Sequence, residues 1–186
     1  MEKLAFITTN IHKVAETAAI LKEYNIDVEQ IAYNYPEDKE ASVKEVAKKA
    51  AKEMTEKFQR PVLVDDSGIY FRAYKNFPGA LSKFVIKSIA YDGIFRLLQG
   101  KDREATFFTV LGYCEPIKEP QLFVGKSKGT ILEKYREGIR EAMPFEYIFV
   151  PEGETKTFAE MTIEEKGKFS QRGFATRELG EYLKNL

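Results

Sequence analysis

The sequence predicts an α/β domain, and three observations carry this prediction. The apolar run Leu4–Ile7 is followed by turn-forming residues and then by apolar residues at helical spacing, which indicates a strand, a turn and a helix. Residues 62–64 form an uninterrupted apolar run, typical of a strand buried within such a sheet. Two strand-like segments, residues 105–114 and 122–132, flank a proline-containing turn and indicate a long antiparallel ribbon.

The first helix is expected to begin after Thr8-Thr9-Asn10, which offers side chains suited to an N-cap. Residues 26–33 alternate enough to predict a second strand, and residues 35–40 form an acidic loop after it. Ser42-Val43-Lys44-Glu45 matches a capping box and therefore predicts the start of a second helix. The apolar face of that helix comprises Val43, Val46, Ala47, Ala50, Met54 and Phe58.

The buried strand at residues 62–64 is expected to bend at Gly68 and to resume at residues 69–71. A turn follows at residues 76–79. Residues 80–99 predict a helix with a break at Asp92-Gly93.

In the second arm of the ribbon, Gly125-Lys126-Ser127-Lys128-Gly129 indicates a bulge. Residues 133–141 predict a loop, and residues 148–150 predict a short strand. Thr162-Ile163-Glu164-Glu165 matches another capping box, which leads to Lys166. Residues 173–185 predict an amphipathic helix. The expected buried side of this helix comprises Phe174, Leu179, Tyr182 and Leu183.

Length, charge and cysteine content limit the classes of function. We expect one domain over residues 1–186. Lys and Arg total 29, as do Asp and Glu, so the chain lacks the net positive charge that attracts nucleic acid polymers. The lone Cys114 lies in an apolar run, where a packing role and a reducing compartment are expected. No apolar segment is long enough to cross a bilayer. We therefore expect a cytoplasmic protein that binds no nucleic acid polymer and no membrane.

Two adjacent carboxylates, Asp65 and Asp66, follow the buried run at residues 62–64. Neighbouring like charges at the edge of a core are costly unless cations or a metal offset them, and Mg²⁺ that holds phosphate oxygens is a common reason for the arrangement. The alternative is a solvated turn in which Asp66 leads into Ser67-Gly68. The dipeptide alone leaves both possibilities open.

Lys13 lies in the first turn of the first predicted helix, where a cation opposes the helix dipole unless an anion is bound there. A phosphate would supply that anion, and the alternative is a solvated lysine. His12 is the single histidine, so a zinc site is not expected. A second basic pair, Lys166 and Arg172, stands close to polar Gln171. Together these features are suited to holding a nucleoside triphosphate by its phosphates, metal and base.

Five segments, in order along nearly the whole chain, also match motifs of a known family. They are Thr8-Thr9-Asn10-Ile11-His12-Lys13; Tyr35-Pro36-Glu37; Val64-Asp65-Asp66-Ser67-Gly68; Phe77-Pro78-Gly79 with Ser82-Lys83; and Thr157-Phe158-Ala159-Glu160-Met161 with Glu164-Glu165-Lys166 and Ser170-Gln171-Arg172. On these segments the sequence resembles the inosine triphosphate pyrophosphatases, a Ham1-like family of hydrolases.

The resemblance implies a two-lobed α/β domain around a long mixed sheet flanked by helices, assembled as a homodimer. It implies Mg²⁺-dependent hydrolysis of non-standard purine nucleoside triphosphates (ITP, dITP and XTP) to the monophosphate and pyrophosphate. Such an enzyme cleanses the nucleotide pool. A non-catalytic nucleotide-binding or RNA-binding module on the same fold is the alternative, and it would need the basic residues but not the carboxylates. A P-loop NTPase is not expected, because the chain lacks that motif.

The resemblance also implies roles for individual residues. Glu37 and Asp66 would hold Mg²⁺, and Asp66 would orient or deprotonate the attacking water. Asp65 would act from the other face of its strand. The expected substrate contacts are Thr8, Thr9, Asn10, Ile11, His12 and Lys13 for the phosphates, with Ser67, Met143, Pro144, Phe145, Glu146, Lys166, Gln171 and Arg172 for the rest of the nucleotide.

The chain departs from the family pattern at three places. Gln171 replaces the usual histidine of a Ser-His-Arg motif. Met143-Pro144-Phe145-Glu146 stands where the family has Phe-Gly-Tyr/Trp-Asp, and the alternative for Met143 and Phe145 is a core role. The lysine of the family's second helix falls at Ala50, which leaves Lys48, Lys49 and Lys52 as substitutes. Base recognition is therefore the part of the site that the resemblance defines least.

Overall fold

Seven strands form one mixed sheet in the computed structural model, which describes residues 3–36 and 41–186. The strands are β1 (Leu4–Ile7), β2 (Val28–Ile31), β3 (Val62–Phe71), β4 (Pro78–Gly79), β5 (Glu104–Cys114), β6 (Gln121–Ile131) and β7 (Phe149–Pro151). The described residues also form the α-helices α1 (Ile11–Leu21), α2 (Val43–Phe58), α3 (Ser82–Leu97), α4 (Ile163–Phe169) and α5 (Gln171–Lys184). The predicted α/β fold around a long mixed sheet is confirmed.

The strand order places two predicted parts of the site side by side, namely the turn before Lys13 and the Asp65–Asp66 pair. The sheet runs β2-β1-β3-β5-β6-β7, with β4 paired to β3. β1 is parallel to β2 and β3, and the pairs from β3 to β7 are antiparallel. β1 pairs with β3 only at Ala5↔Val62 and Phe6↔Leu63, so β3 continues past the end of β1. The turn between β1 and α1 therefore lies beside the middle of β3.

Helices cover both sides of the sheet near this turn. Leu63 of β3 packs with residues of α1 and α5, whereas its neighbour Val64 packs with residues of α2. Alternate residues of a strand face opposite sides. Asp65 therefore faces α1 and α5, and Asp66 faces the side of α2.

A separate core lies at the other end of β3. There Phe71 packs with Ile86 and Ile94 of α3, and with Phe149 of β7. The long strands β3, β5 and β6 run from the first group of cores to this one, which gives the two-lobed arrangement that was expected.

The predicted starts of α1, α2 and α4 are confirmed. The Asn10 side chain caps α1 by accepting hydrogen bonds from the backbone N–H groups of His12 (3.0 Å) and Lys13 (3.4 Å). Both predicted capping boxes form, at Ser42 for α2 and at Thr162 for α4. α5 begins at Gln171, two residues earlier than predicted, because Ser170 is its N-cap. No helix within the described ranges is long and apolar enough to span a membrane.

The predicted bend at Gly68 and the predicted bulge at residues 125–129 are wrong. β3 pairs with β5 without interruption, and β5 pairs with β6 in continuous register through Gly125 and Gly129. These glycines instead allow close packing. A Cβ at Gly68 would lie 2.5 Å from the carbonyl oxygen of Gly79, and one at Gly125 would lie 1.7 Å from that of Gln171.

Two predictions about helices need correction. The break in α3 falls at Ala90, which has a φ of 52°, and not at Asp92-Gly93. Gly93 is helical, and a Cβ there would lie 2.4 Å from the Ile89 Cβ, so glycine lets the chain fold tightly around the kink. Phe174 was expected on the buried side of α5 but is 42% exposed, because the buried face of the helix follows Gln171, Ala175 and Leu179, and Phe174 lies on another face.

Candidate active site

A cavity of about 350 Å³ lies beside the turn between β1 and α1. The middle of β3 forms its floor, and the start of α3, residues 143–145 and the first turn of α5 complete its walls. The predicted site residues that line the cavity are Thr8, Thr9, Asn10, Lys13, Asp66, Ser67, Met143, Pro144, Phe145, Gln171 and Arg172. The fold therefore brings together most of a site that is scattered along the sequence.

Lys13 links the start of α1 to β3. Its Nζ lies 2.7 Å from Oδ1 of Asp65 and donates to the backbone oxygen of Asp65 at 2.9 Å. The Lys13 side chain is only 17% exposed, so the alternative of a solvated lysine is wrong. An anion in the cavity would meet a lysine that is already held in position.

The two aspartates lie within β3 and not at its carboxyl end. Asp66 pairs with Val110 of β5 in regular register, so the alternative of a solvated turn is wrong. Asp65 is buried against α5, and its Oδ2 accepts from Nε of Arg172 at 2.7 Å. Burial alone would raise the pKa of Asp65, but Arg172 and Lys13 together hold that pKa well below its usual range. Asp65 therefore holds Lys13 and Arg172 from one face of β3, and it also lines the cavity.

Arg172 is buried and holds several groups in place. Its Nη1 donates to Oε2 of Glu16 at 2.7 Å, and its Nη2 donates to Oγ of Ser67 at 3.1 Å. The Ser67 hydroxyl in turn donates to Oδ1 of Asp65 at 2.6 Å. Burial would lower the pKa of Arg172, but Asp65 and Glu16 raise it, so the guanidinium keeps its charge. Arg172 reaches the cavity wall while its nitrogens are turned mainly towards these acceptors.

Lys166 and Glu146 lie deeper than predicted. Nζ of Lys166 donates to Oε1 of Glu146 at 2.6 Å and also to Oε1 of Glu16. The other oxygen of Glu146 accepts from Arg140 at 3.0 Å. Neither Lys166 nor Glu146 is among the described residues that line the cavity.

Met143 and Phe145 line the cavity from the segment at residues 143–145. Met143 is half-buried, and its sulfur accepts a long contact of 3.6 Å from the side-chain amide of Asn10. Phe145 is buried, with its ring 6.0 Å from that of Phe71 in an edge-to-face arrangement. Phe145 therefore belongs to the core and also lines the cavity.

Gln171 is a buried polar side chain of the cavity wall. It is 2% exposed, and among the described residues its Oε1 has no hydrogen-bond partner. A buried polar atom without a partner is costly, so a ligand that donates a hydrogen bond there would be stabilised. Ser170 and the close packing of Gly125 hold the first turn of α5, and with it Gln171, in place.

Some predicted residues are not brought to the cavity. Ile11 and His12 follow the turn but are absent from the described lining, and Ile11 is 64% exposed. Glu37 lies outside the described residues. Of the described α2 lysines, none lines the cavity, and Lys52 instead bonds Glu119 at 2.8 Å.

Sequence reasoning missed Glu16 and left Lys83 and Lys87 without a role. Lys83 and Lys87 line the cavity from one face of α3, because they are four residues apart. Glu16 is buried on the inner face of α1, one turn after Lys13. A carboxylate among the buried positions of an amphipathic helix needs a cationic partner, and this was the available signal for Glu16.

The cavity suits a metal ion only together with a ligand. In the described part of the chain, no group of three His, Cys, Asp or Glu residues is placed to hold a metal. Mg²⁺ in nucleotide sites is held by one or two carboxylates together with phosphate oxygens, so such a group is not required. Because Asp65 already holds Lys13 and Arg172, Asp66 is the lining carboxylate that fits this role.

A wider surface depression of about 930 Å³ lies at the far end of the sheet, around Tyr70, Thr106, Lys128 and Glu152. It contains none of the predicted site residues. The smaller cavity, which collects cations, a carboxylate and aromatic surface, is therefore the candidate active site.

Comparison with known proteins gives the family of the chain. The chain is 41% identical to a dITP/XTP pyrophosphatase of Methanopyrus kandleri, over 98% of this chain and 97% of the relative. It is 40% identical to a dITP/XTP pyrophosphatase of Thermococcus kodakarensis, again over 98% and 97%. The fold matches a solved HAM1 protein from Coxiella burnetii with a TM-score of 0.80, at 22% identity over 100% of both chains. The sequence profile of the Ham1 family matches residues 4–182, and the chain belongs to this family.

Proposed function

We propose that the chain hydrolyses non-standard purine nucleoside triphosphates (dITP, ITP and XTP) to the monophosphate and pyrophosphate. The names of its relatives support this substrate class. The observation that carries the proposal is that one cavity contains both Lys13, at the start of α1, and Asp66, in the middle of β3. Cations and a carboxylate side by side suit a tetra-anionic substrate and a metal-assisted hydrolysis.

The part of the cavity between the β1–α1 turn and α3, here called the phosphate end, would take the triphosphate. Thr8, Thr9 and Asn10 line it next to the start of α1, where the helix dipole favours an anion. Lys13 supplies a positioned positive charge. Lys83 and Lys87 approach from α3 on the other side of the cavity. Catalysis of phosphoryl-type transfer depends mainly on such positioning and charge neutralisation.

Asp66 and Glu37 would hold Mg²⁺, which supplies charge neutralisation and polarises phosphate oxygens. Asp66 would orient the attacking water and accept its proton. Asp65, fixed by Lys13 and Arg172, keeps β3 rigid beside it. Ser67 lines the cavity and is held by Arg172 and by Thr109, whose hydroxyl is 2.9 Å from Oγ of Ser67, so it would contact the substrate in a fixed orientation.

The part of the cavity lined by Met143, Phe145 and Gln171, here called the base end, would take the purine. Phe145 and Met143 offer surface for the ring. A 6-oxo purine has a donor at N1, whereas adenine has an acceptor there. An acceptor at Oε1 of Gln171 would pair with the N1–H of a 6-oxo purine, and it would oppose adenine only while the side-chain amide keeps this orientation, because the amide nitrogen is a donor.

We also propose that the protein is a cytoplasmic homodimer. Exposed apolar side chains of the α3 region, Leu81, Phe84 and Ile89, support an interface with a second copy. The buried free thiol of Cys114 is consistent with a reducing compartment. Light scattering on the purified protein tests the dimer, and a molar mass equal to one chain at micromolar concentration would contradict it.

A turnover assay tests the proposed activity. The protein is incubated with Mg²⁺ and with ITP, dITP, XTP, GTP or ATP in turn, and phosphate is measured with and without added inorganic pyrophosphatase. We expect phosphate only when the pyrophosphatase is present, with the 6-oxo substrates ITP, dITP and XTP ahead of ATP. Binding of ITP without turnover would favour a non-catalytic module instead. Removal of Mg²⁺ with a chelator should stop the reaction.

A further inference from the structure

A chain of alternating charges runs through the protein behind the cavity. In order, it comprises Lys13, Asp65, Arg172, Glu16, Lys166, Glu146 and Arg140, and each member contacts the next within 3.0 Å. We call this set the charge chain. Its first member, Lys13, lines the cavity at the start of α1, and Glu146, the member before Arg140, directly follows the Met143–Phe145 segment that also lines the cavity.

Glu16 is the central member of the charge chain. One carboxylate oxygen accepts from Arg172 of α5 at 2.7 Å, and the other accepts from Lys166 of α4. Glu16 itself belongs to α1, one turn after Lys13. A single side chain therefore ties three helices together, and it touches neither end of the cavity.

The burial of these groups makes Glu16 difficult to replace. Glu16 is 5% exposed, and Arg172 and Lys166 are each 1% exposed. Burial alone would raise the pKa of Glu16, but Lys166 and Arg172 lower it, so Glu16 is a carboxylate between two cations. Without that negative charge, the two cations would face each other in a medium that screens them poorly.

Loss of Glu16 would displace residues at both the phosphate end and the base end of the site. Arg172 divides its guanidinium between Glu16 and Asp65, so without Glu16 it would turn towards Asp65 and displace the oxygen that holds Lys13. Lys166 divides its ammonium between Glu16 and Glu146, and would pull on Glu146 and the segment before it. Displacements of this kind are costly in a site that works by positioning.

We propose that Glu16 is a positioning residue that links the phosphate end of the site to the base end, through Arg172 on one side and Lys166 on the other. This inference rests on the proposed function, because it takes the cavity to be a nucleotide site. The role is distinct from catalysis, since Glu16 is placed behind the cavity wall.

Binding measurements with two partial ligands test the link. Inorganic tripolyphosphate occupies the phosphate end alone, and IMP carries the base. Dissociation constants are measured by calorimetry for wild type, for Glu16→Gln and for the control Glu23→Gln, which removes the same charge from an exposed position two turns further along. We expect Glu16→Gln to weaken both ligands by about tenfold, and the control to change neither by more than about twofold.

A double variant distinguishes loss of the link from a general loss of stability. Glu16→Gln combined with Lys166→Met removes one charge of each sign, so the buried cluster stays balanced and we expect the melting temperature to recover towards that of wild type. Tripolyphosphate, which does not reach Lys166, should still bind about tenfold more weakly, because α1 is still not joined to Arg172.

The outcomes distinguish this inference from the proposed function. Wild-type affinity for tripolyphosphate in the folded double variant would overturn the link, as would a change in only one ligand with Glu16→Gln. A wild-type protein that turns over ITP while Glu16→Gln binds both ligands normally would overturn the inference alone. A wild-type protein that binds neither ligand would overturn the proposed function and the inference together.

Discussion

Asp66 and Asp65 are neighbours in β3, yet their substitutions should fail in different ways. Asp66→Asn removes a charge from the proposed metal site at nearly constant shape, so we expect kcat for ITP to fall by at least about a hundredfold with little change in stability. Asp65→Asn leaves Arg172 and Lys13 short of their shared anion, and we expect a loss of about 3–5 kcal/mol in unfolding free energy. Steady-state kinetics and urea unfolding of both variants check this. Equal effects of the two substitutions on stability would contradict the division of roles.

Gln171 should determine which base is accepted. Gln171→Leu keeps a side chain of similar size but removes the buried acceptor, so kcat/KM should fall by about tenfold or more for ITP and change little for ATP. The measurement is the ratio of the two kcat/KM values, with the melting temperature as a check on folding. An equal fall for both substrates would mean that Gln171 supports the phosphates or the fold.

The role of a residue could be predicted where a local sequence motif defines it. The role was harder to predict where it depends on contacts with residues far away in the sequence. The sequence indicated that Asp65 and Asp66 face different sides, because strand geometry requires it. It suggested Arg172 and Glu146 as base contacts, but the structure turns both towards oppositely charged buried partners. Glu16, a partner of Arg172, lies 156 positions away, and a contact between residues so far apart cannot be obtained from local pattern.

Among the strands, the glycines of β6 have a different role from the one that the sequence predicted. A glycine inside a strand suggested a bulge, but the structure keeps regular pairing and uses Gly125 to admit the backbone of α5. Helix starts were predictable because capping depends on residues three positions apart. The role of Gly125 was not, because it depends on which helix packs against the strand.

The close packing of α5 against Gly125 can be tested by substitution. Gly125→Ala places a methyl group 1.7 Å from the Gln171 carbonyl oxygen, so α5 must shift, and we expect a loss of about 1–3 kcal/mol in stability together with lower activity. The control is Gly167→Ala in α4, whose Cβ would lie 3.4 Å from Ile20. There alanine should be neutral or should stabilise the helix by up to about 1 kcal/mol. Thermal unfolding of both variants makes the comparison, and equal stability would mean that α5 tolerates displacement.

At the scale of the whole molecule, the site follows from strand order. β1 ends early while β3 continues, so the turn before α1 lies beside Asp65 and Asp66. Strands and helices were predictable from local periodicity, but this alignment depends on pairing between segments far apart in sequence. The same pairing brings α5, near the other end of the described chain, against β3 and completes the cavity.

We propose that the cavity directs water to the α-phosphorus of a bound nucleoside triphosphate. Hydrolysis of ITP in oxygen-18-labelled water, followed by phosphorus NMR, tests this site of attack. We expect one labelled oxygen in the phosphate of IMP and none in the pyrophosphate, with Mg²⁺ present. Label in the pyrophosphate, or labelled orthophosphate as the first product, would contradict it.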